Sequence, residues 1–137
     1  EDRTAVLDAV ADRPSDLVVL AGDIHRFHAI DVVTDPTAYD PADPASGGTA
    51  AVEFVCGSIT SPGSDWIGNG KQVRWNEGDA RGYTVLTLTE DAATCDFWGI
   101  DNASLTEEQL PEERWLAGWQ TTKGANRLSE TDAPQPT

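Results

Sequence analysis

Five apolar residues, Leu17 to Ala21, form the run that most constrains the fold of this chain. The run has the length of a strand and follows residues 3–13, in which small apolar residues recur at helical spacing. A continuous apolar run after a helix is typical of a parallel strand covered on both faces. The sequence therefore predicts an α/β fold in which this strand is central. The predicted buried face of the helix consists of Ala5, Val6, Ala9 and Val10.

Local patterns downstream predict one loop and three further strands. Residues 34–49 are dense in Pro, Asp and Gly and indicate a surface loop, and a strand is expected from about Ala50 to Ile59. The stretches GYTVLTLTED and ATCDFWGID each alternate like a half-buried strand, with EDA as the turn between them. We therefore expect an antiparallel hairpin over residues 82–100.

Helical signals follow the hairpin. Ser104 and Glu107 match a capping box in front of a short helical stretch. Pro111, with two acidic residues behind it, suits the start of a second helix. Trp115 and Trp119 lie four residues apart, so they would share one face of that helix.

The charge balance narrows the classes of partner. The formal net charge is −15 with only nine basic residues, which excludes the positive surface that binds nucleic acid or an anionic membrane. No apolar run is long enough to span a membrane. Two cysteines, Cys56 and Cys95, are too few for a disulfide framework. Each lies in a strand-like run, which favours buried thiols, with a single bridge between neighbouring strands as the alternative.

Both histidines of the chain lie shortly after the apolar run. Gly22 permits a sharp turn, and Asp23 and His25 then stand at the carboxyl end of a predicted parallel strand, where open α/β sheets bind ligands. A carboxylate and an imidazole are suitable ligands for a hard or borderline cation. A capping aspartate and a histidine hydrogen-bonded within the protein are the alternative. His28 could line the same pocket, support a ligand from behind, or simply be exposed.

Three polar side chains further along are candidates for the rim of a substrate site. Ser58 and Thr60 follow the predicted third strand with hydroxyls that could face a phosphate, and ordinary turn formation explains them equally well. Arg81 could contact an anion at the start of the hairpin, and a salt bridge at a strand edge is the alternative.

The order of these motifs resembles the carboxyl-terminal part of PhoD-like alkaline phosphatases, which belong to the binuclear metallophosphoesterases. The chain carries LVVLAGDIH, VEFVCGSITSPG, RGYTVLTLTEDAATCDFW and a Trp-bearing segment in the family's order, over roughly residues 3–120. One difference is that family members often carry Trp where this chain has Phe27-His28. The resemblance implies half of an αββα four-layer sandwich, with a parallel strand followed by an antiparallel hairpin.

The resemblance also implies a site. Asp23 and His25 would be metal ligands, with His25 also acting as a catalytic group, and the metals would be Fe³⁺ and Ca²⁺. Phosphoesters would be the substrates, and the enzyme would be secreted: extracellular, periplasmic or at the cell surface. The family's other ligands lie on earlier strands, whose motifs this chain lacks. We therefore expect the chain to be inactive alone and to need the missing amino-terminal portion of the same enzyme as its partner.

Two other functions compete with this interpretation. A non-catalytic acidic α/β module, acting as a binding or structural partner, would explain why ligands are missing. A hydrolase that uses Asp23 and His25 as acid and base without metal is the other, although no G-x-S-x-G nucleophile motif accompanies them.

The predicted organisation is one folded unit followed by a tail. Residues 1–122 would be the carboxyl-terminal half of a metallophosphoesterase-like domain, and residues 123–137 a polar, loose tail. One edge of the sheet should expose an apolar surface that the missing half covers.

Overall fold

The computed structural model describes residues 2–11, 16–65, 68, 70–101 and 112–135. In this part of the chain one helix is followed by eight strands. They are α1 (Asp2–Ala11), β1 (Val18–Ala21), β2 (Phe27–Val33), β3 (Thr49–Val55), β4 (Val73–Glu77), β5 (Arg81–Leu88), β6 (Ala92–Asp101), β7 (Glu112–Thr122) and β8 (Ser129–Thr131). Among the described residues, no helix combines the length and the apolar character needed to cross a membrane. The predicted capping box at Ser104 and Glu107 falls outside the described residues.

The first sheet has the strand order β1-β3-β2-β4. β1 runs parallel to β3, with Val18 beside Val52 and Ala21 beside Val55, which confirms the predicted parallel strand. The predicted central position is wrong for the described strands, because β1 is the edge of the sheet and Leu20 is 63% exposed. An apolar run indicates that both faces of a strand are to be covered, but it does not say how many strands flank it.

The second sheet is antiparallel, with the order β5-β6-β7-β8. β5 and β6 form the predicted hairpin, closed by the Thr89 amide, which donates to the Ala92 carbonyl oxygen at 2.9 Å. The predicted second helix is wrong, because residues 112–122 form strand β7 along β6. A spacing of four residues suits one face of a helix and also one face of a regular strand, so it does not distinguish the two. In β7 a register shift between Trp115 and Ala117 interrupts the alternation. Pairing with β6 decided between the two.

The hydrophobic core lies between the two sheets. At its centre the Phe97 ring contacts Phe27 at a centroid distance of 5.9 Å and Trp75 at 4.8 Å. Cys95 is a free thiol in this core, and burial raises its pKa to about 12. Cys56 is also free and half-buried, so the structure agrees with the prediction of packed thiols.

Helix α1 packs on the outer face of the first sheet. Leu7 is its buried side chain, and Arg3 Nη2 donates to the Val33 carbonyl oxygen at 3.0 Å. The predicted buried face is wrong, because three of its residues are exposed: Ala5, Val6 and Ala9. Leu7 is the largest apolar side chain of the helix, so burying it gains more than burying the alanines. The described residues thus form a helix, a sheet and a second sheet in layers, while the full four-layer sandwich stays a prediction.

A buried carboxylate on β2 holds three separate segments of the chain together through hydrogen bonds. Asp31 on β2 has no solvent exposure and accepts hydrogen bonds from the Tyr39 hydroxyl, from Arg74 Nη1 at 3.0 Å and from the Leu128 amide at 2.7 Å. The segment from Lys123 onward, expected to be loose, contributes β8 and the buried Leu128. A buried carboxylate needs hydrogen-bond donors, and the Leu128 amide is one of them. This hydrogen bond holds the carboxyl-terminal segment against the two sheets.

Candidate functional site

The two candidate metal ligands lie in a tight turn directly after β1. Asp23 and His25 have left-handed backbone conformations, with φ of 74° and 55°. Between them, the Ile24 amide donates to the Gly22 carbonyl oxygen at 2.9 Å. The sequence suggested Gly22 as the residue that permits the turn, but the left-handed positions are the ligand candidates themselves. Such conformations cost of order 1–3 kcal/mol each and concentrate at functional sites.

Both side chains of this turn are available to a ligand. Asp23 and His25 are exposed, and neither side chain forms a hydrogen bond or ion pair within the described residues. Within the described part of the chain, Asp23 therefore does not act as a cap, and no other side chain or backbone group holds His25. This arrangement disfavours the alternative of a capping aspartate with a hydrogen-bonded histidine.

Parallel pairing aligns this turn with the segment that follows β3. Ala21 lies beside Val55 at the ends of the two strands, and a Cβ built on Gly22 would lie 3.9 Å from the Cys56 carbonyl oxygen. Gly57 then packs directly on the Phe27 ring, where an added Cβ would lie 2.8 Å from Cε2. Strands that run parallel end at the same edge of a sheet, so both turns emerge at one end of the sandwich.

The proposed rim residues hold this second turn together. Ser58 Oγ accepts hydrogen bonds from the amides of Ser61 at 2.8 Å and Thr60 at 3.3 Å. Arg81 Nε donates to the Ser61 carbonyl oxygen at 3.2 Å. The Gly82 amide donates to the Ser58 carbonyl oxygen at 3.0 Å. These contacts account for Ser58 and Arg81 as parts of the turn and of its link to β5, while Thr60 is exposed.

His28 is not at an exposed rim, contrary to that part of the prediction. It has no solvent exposure and lies on β2 between Val55 of β3 and Asn76 of β4. Burial lowers its pKa below the ordinary value of 6.5, and the positive charge of Arg26 lowers the pKa further. His28 is therefore a neutral imidazole inside the protein, close in sequence to the turn but not at its surface.

Arg26 is the residue of this region that sequence analysis missed. It is only 8% exposed, and its guanidinium donates to the Ser64 carbonyl oxygen through Nη1 and to Asn76 Oδ1 through Nη2 at 2.9 Å. Gly78 makes room for it, since a Cβ there would lie 1.9 Å from Nη1. No carboxylate of the described residues pairs with Arg26. The local sequence does not predict the burial of Arg26, because that burial depends on which distant segments pack over the side chain.

The described residues do not form a complete metal site. Within the described ranges, no group of three or more His, Cys, Asp or Glu side chains is placed to hold a metal ion. Asp23 and His25 together provide two donors, whereas protein metal sites for hard cations use more. Asp23 and His25 as ligands of a larger site therefore stay a prediction.

Comparison with known proteins identifies the wider fold. A family model described as PhoD-like phosphatase matches residues 1–97 of the chain. A solved structure described as the structure of PhoD matches 97% of the chain with a TM-score of 0.72 and 22% sequence identity. The chain spans only 26% of the length of that solved chain. No curated protein matches the sequence.

Proposed function

Because the chain belongs to the PhoD-like phosphatase family, we propose that it is the carboxyl-terminal part of a metal-dependent phosphoester hydrolase. Asp23 and His25 are the ligands that this part contributes. The observation that carries the proposal is their turn, in which two exposed and unpaired donors are kept in left-handed conformations. Backbone strain of this kind is retained where it serves a site.

The two donors fit the cations that the family resemblance implies, Fe³⁺ and Ca²⁺. A carboxylate oxygen is a ligand for hard cations, and an imidazole is a ligand for iron. When bound, such cations would supply Lewis-acid activation of a water molecule and would neutralise charge on the phosphoryl oxygens.

The residues of this chain then have separate roles. Asp23 would hold a metal, and His25 would either ligate one or stabilise the negative charge that develops on the phosphoryl group. The left-handed turn fixes the backbone of both residues before substrate arrives, so less backbone motion is lost on binding. The buried charge of Arg26 adds positive potential at the same end of the sandwich.

Substrate attraction on this proposal is local. Phosphomonoesters and phosphodiesters are anions, and a net charge of −15 repels them at long range. Near the turn, the positive charge of Arg26 and of any metal held by Asp23 and His25 would offset that repulsion. We place Ser58, Thr60 and Arg81 at the rim of the substrate site, because Ser58 and Arg81 shape the neighbouring turn and Thr60 is exposed there.

The remaining ligands come from another part of the same enzyme. The chain covers about a quarter of the solved PhoD chain, so we propose the amino-terminal portion as the partner that completes the metal centre. The chain alone would be inactive. By family resemblance, the complete enzyme works outside the cytoplasm, as a secreted, periplasmic or cell-surface protein.

Substitution of the two ligands in the complete enzyme tests this proposal. Asp23→Asn keeps the shape of the side chain but removes its charge, and His25→Ala removes the imidazole. Each variant should lose most of its bound metal, counted by elemental analysis, and most of its hydrolysis of a nitrophenyl phosphoester. Asp132→Asn is the matched control, because it removes the same charge from an exposed position after β8. Full metal content and activity in Asp23→Asn would end the proposal.

A non-catalytic acidic module is the second candidate, favoured by the lack of a three-ligand cluster among the described residues. On that alternative, the chain would function as a stand-alone protein of 14.7 kDa. Mass spectrometry of the intact protein from its source decides between the two, since the hydrolase requires a longer polypeptide or a second chain.

A further inference from the structure

Arg26 is the first buried side chain after the turn of Asp23 and His25. It follows His25 directly, and β2 begins at the next residue, Phe27. The Arg26 side chain is buried, whereas those of Asp23 and His25 are exposed and form no hydrogen bond within the described residues. The position of the turn therefore depends on the residues that flank it, and Arg26 flanks it on the side of β2.

The Arg26 guanidinium links this turn to two other segments. Nη1 donates to the Ser64 carbonyl oxygen, and Nη2 donates to Asn76 Oδ1 on β4 at 2.9 Å. Ser64 ends the turn that follows β3, and we call residues 58–64 the rim segment. Because a planar guanidinium presents several donors in fixed directions, one side chain fastens the turn, the rim segment and β4 to each other.

Two glycines leave the space that this link needs. A Cβ on Gly78 would lie 1.9 Å from Arg26 Nη1 and 2.1 Å from Cζ, so any side chain there would displace the guanidinium. A Cβ on Gly63 would lie 1.7 Å from the Gly78 carbonyl oxygen, so the rim segment packs directly on the turn after β4. The guanidinium, the rim segment and this turn are therefore in direct contact.

Stability alone does not favour this arrangement. Arg26 pairs with no carboxylate of the described residues, although the chain contains 24 acidic residues. Its Nε is buried and forms no hydrogen bond within the same part of the chain. Buried charges are normally paired, and a buried donor without an acceptor lowers stability. A buried cation of this kind directly beside two proposed ligands indicates a role in their site.

We propose that Arg26 is a positioning residue. Its two hydrogen bonds hold the turn, and with it Asp23 and His25, in a fixed position relative to the rim segment. The proposed metal ligands and the proposed substrate rim then keep one geometry. A displacement of about 1 Å between such groups can slow a reaction about a hundredfold. The catalytic consequence rests on the proposed function, whereas the link itself does not.

Substitutions of Asn76 in the complete enzyme test the link without changing Arg26. Asn76 is exposed, so Asn76→Ala removes the acceptor for Nη2 with little effect on the fold. Hydrolysis of a nitrophenyl phosphoester should show a kcat about tenfold lower and a smaller change in KM, because misplaced ligands slow the chemical step. Asn76→Asp keeps an acceptor oxygen for the guanidinium, so its kcat should stay within about twofold of wild type.

Gly78→Ala tests the same link by displacing the guanidinium while its charge stays. The kcat of this variant should fall at least as far as that of Asn76→Ala. Asp79→Ala is the matched control, because it creates an alanine at the next, exposed position of the same turn.

Hydrogen exchange in these variants gives a measurement that does not depend on activity. The Ile24 amide lies in the turn, and the Gly82 amide donates to the Ser58 carbonyl oxygen of the rim segment. Both amides should exchange about tenfold faster in Asn76→Ala and in Gly78→Ala, because the link that restrains both segments is lost. The amide of Phe97, in the core, should exchange as in wild type.

The outcomes separate a positioning role from the alternatives. Wild-type exchange at both turn amides overturns the link, and wild-type kcat in both variants overturns its role in the site. Equal losses of kcat in Asn76→Ala and Asn76→Asp would also overturn it, since the second variant keeps the acceptor. Faster exchange at Phe97 would assign Arg26 to general stability instead. If Gly78→Ala fails to fold, the two Asn76 variants decide.

Failure of the proposed function is distinguishable from failure of this inference. Full metal content and activity in Asp23→Asn, together with faster exchange at Ile24 and Gly82 in the link variants, would keep the link and remove the metal-ligand proposal. Loss of metal in Asp23→Asn with unchanged kcat in the link variants would remove only the positioning role of Arg26.

Discussion

Replacing His25 by glycine should leave the chain at least as stable as before, although it removes a proposed catalytic ligand. His25 has a φ of 55° and an exposed side chain that forms no hydrogen bond with the described residues. The substitution therefore removes few contacts. It changes mainly the backbone, since glycine adopts the left-handed conformation without steric cost.

The magnitude follows from two opposing terms. Relief of the left-handed conformation gains about 1–2 kcal/mol. Greater flexibility of glycine in the unfolded chain costs about 0.5–1 kcal/mol. The expected balance is an increase in the free energy of unfolding of about 0–1.5 kcal/mol. His25→Ala keeps the strain and loses the imidazole, so it should differ from wild type by less than about 0.5 kcal/mol.

Urea unfolding at submicromolar concentration, followed by the fluorescence of the five tryptophans, measures these differences. Low concentration limits association between copies of the chain. Both variants should lose the same metal-dependent activity in the complete enzyme, while only the glycine variant gains stability. If His25→Gly proves more than about 1 kcal/mol less stable than His25→Ala, the backbone at this position is not strained and the physical argument for the turn is refuted.

Two further predictions concern the buried polar groups. Asp31→Asn should lower the free energy of unfolding by about 3–5 kcal/mol. The substitution leaves Arg74 without its buried counter-charge, and it puts an amide NH2 group, which donates, where a carboxylate oxygen accepted hydrogen bonds from other donors. A loss as small as that of the exposed control Asp132→Asn would contradict this account of the network. His28 has a pKa lowered by burial, so the unfolded chain takes up a proton as the pH falls through about 6.5 while the folded chain resists it. Stability is thus fully present above that pH and declines below it, and urea unfolding of His28→Gln should show a smaller decline between about pH 7 and about pH 5.5; equal declines in both proteins would speak against a buried neutral imidazole.

The sequence alone determined the features that depend on neighbouring residues. The hairpin of β5 and β6 was predictable because each strand alternates and a short turn joins them. The parallel strand β1 was predictable from its apolar run after a helix. The position of Asp23 and His25 at the end of that strand follows from the same run, since a strand of known extent places the next residues at its end.

Tertiary structure decided what depends on distant segments. β7 is a strand because β6 pairs with it, whereas the spacing of its tryptophans suits a helix equally well. Asp31 is buried because Tyr39, Arg74 and Leu128 converge on it from three separate segments. The edge position of β1 likewise depends on which strands are present to flank it. Hydrophobic periodicity in the sequence shows which residues share a face of a helix or strand. Strand pairing, burial and the partners of a charged side chain depend on contacts between residues far apart in the chain.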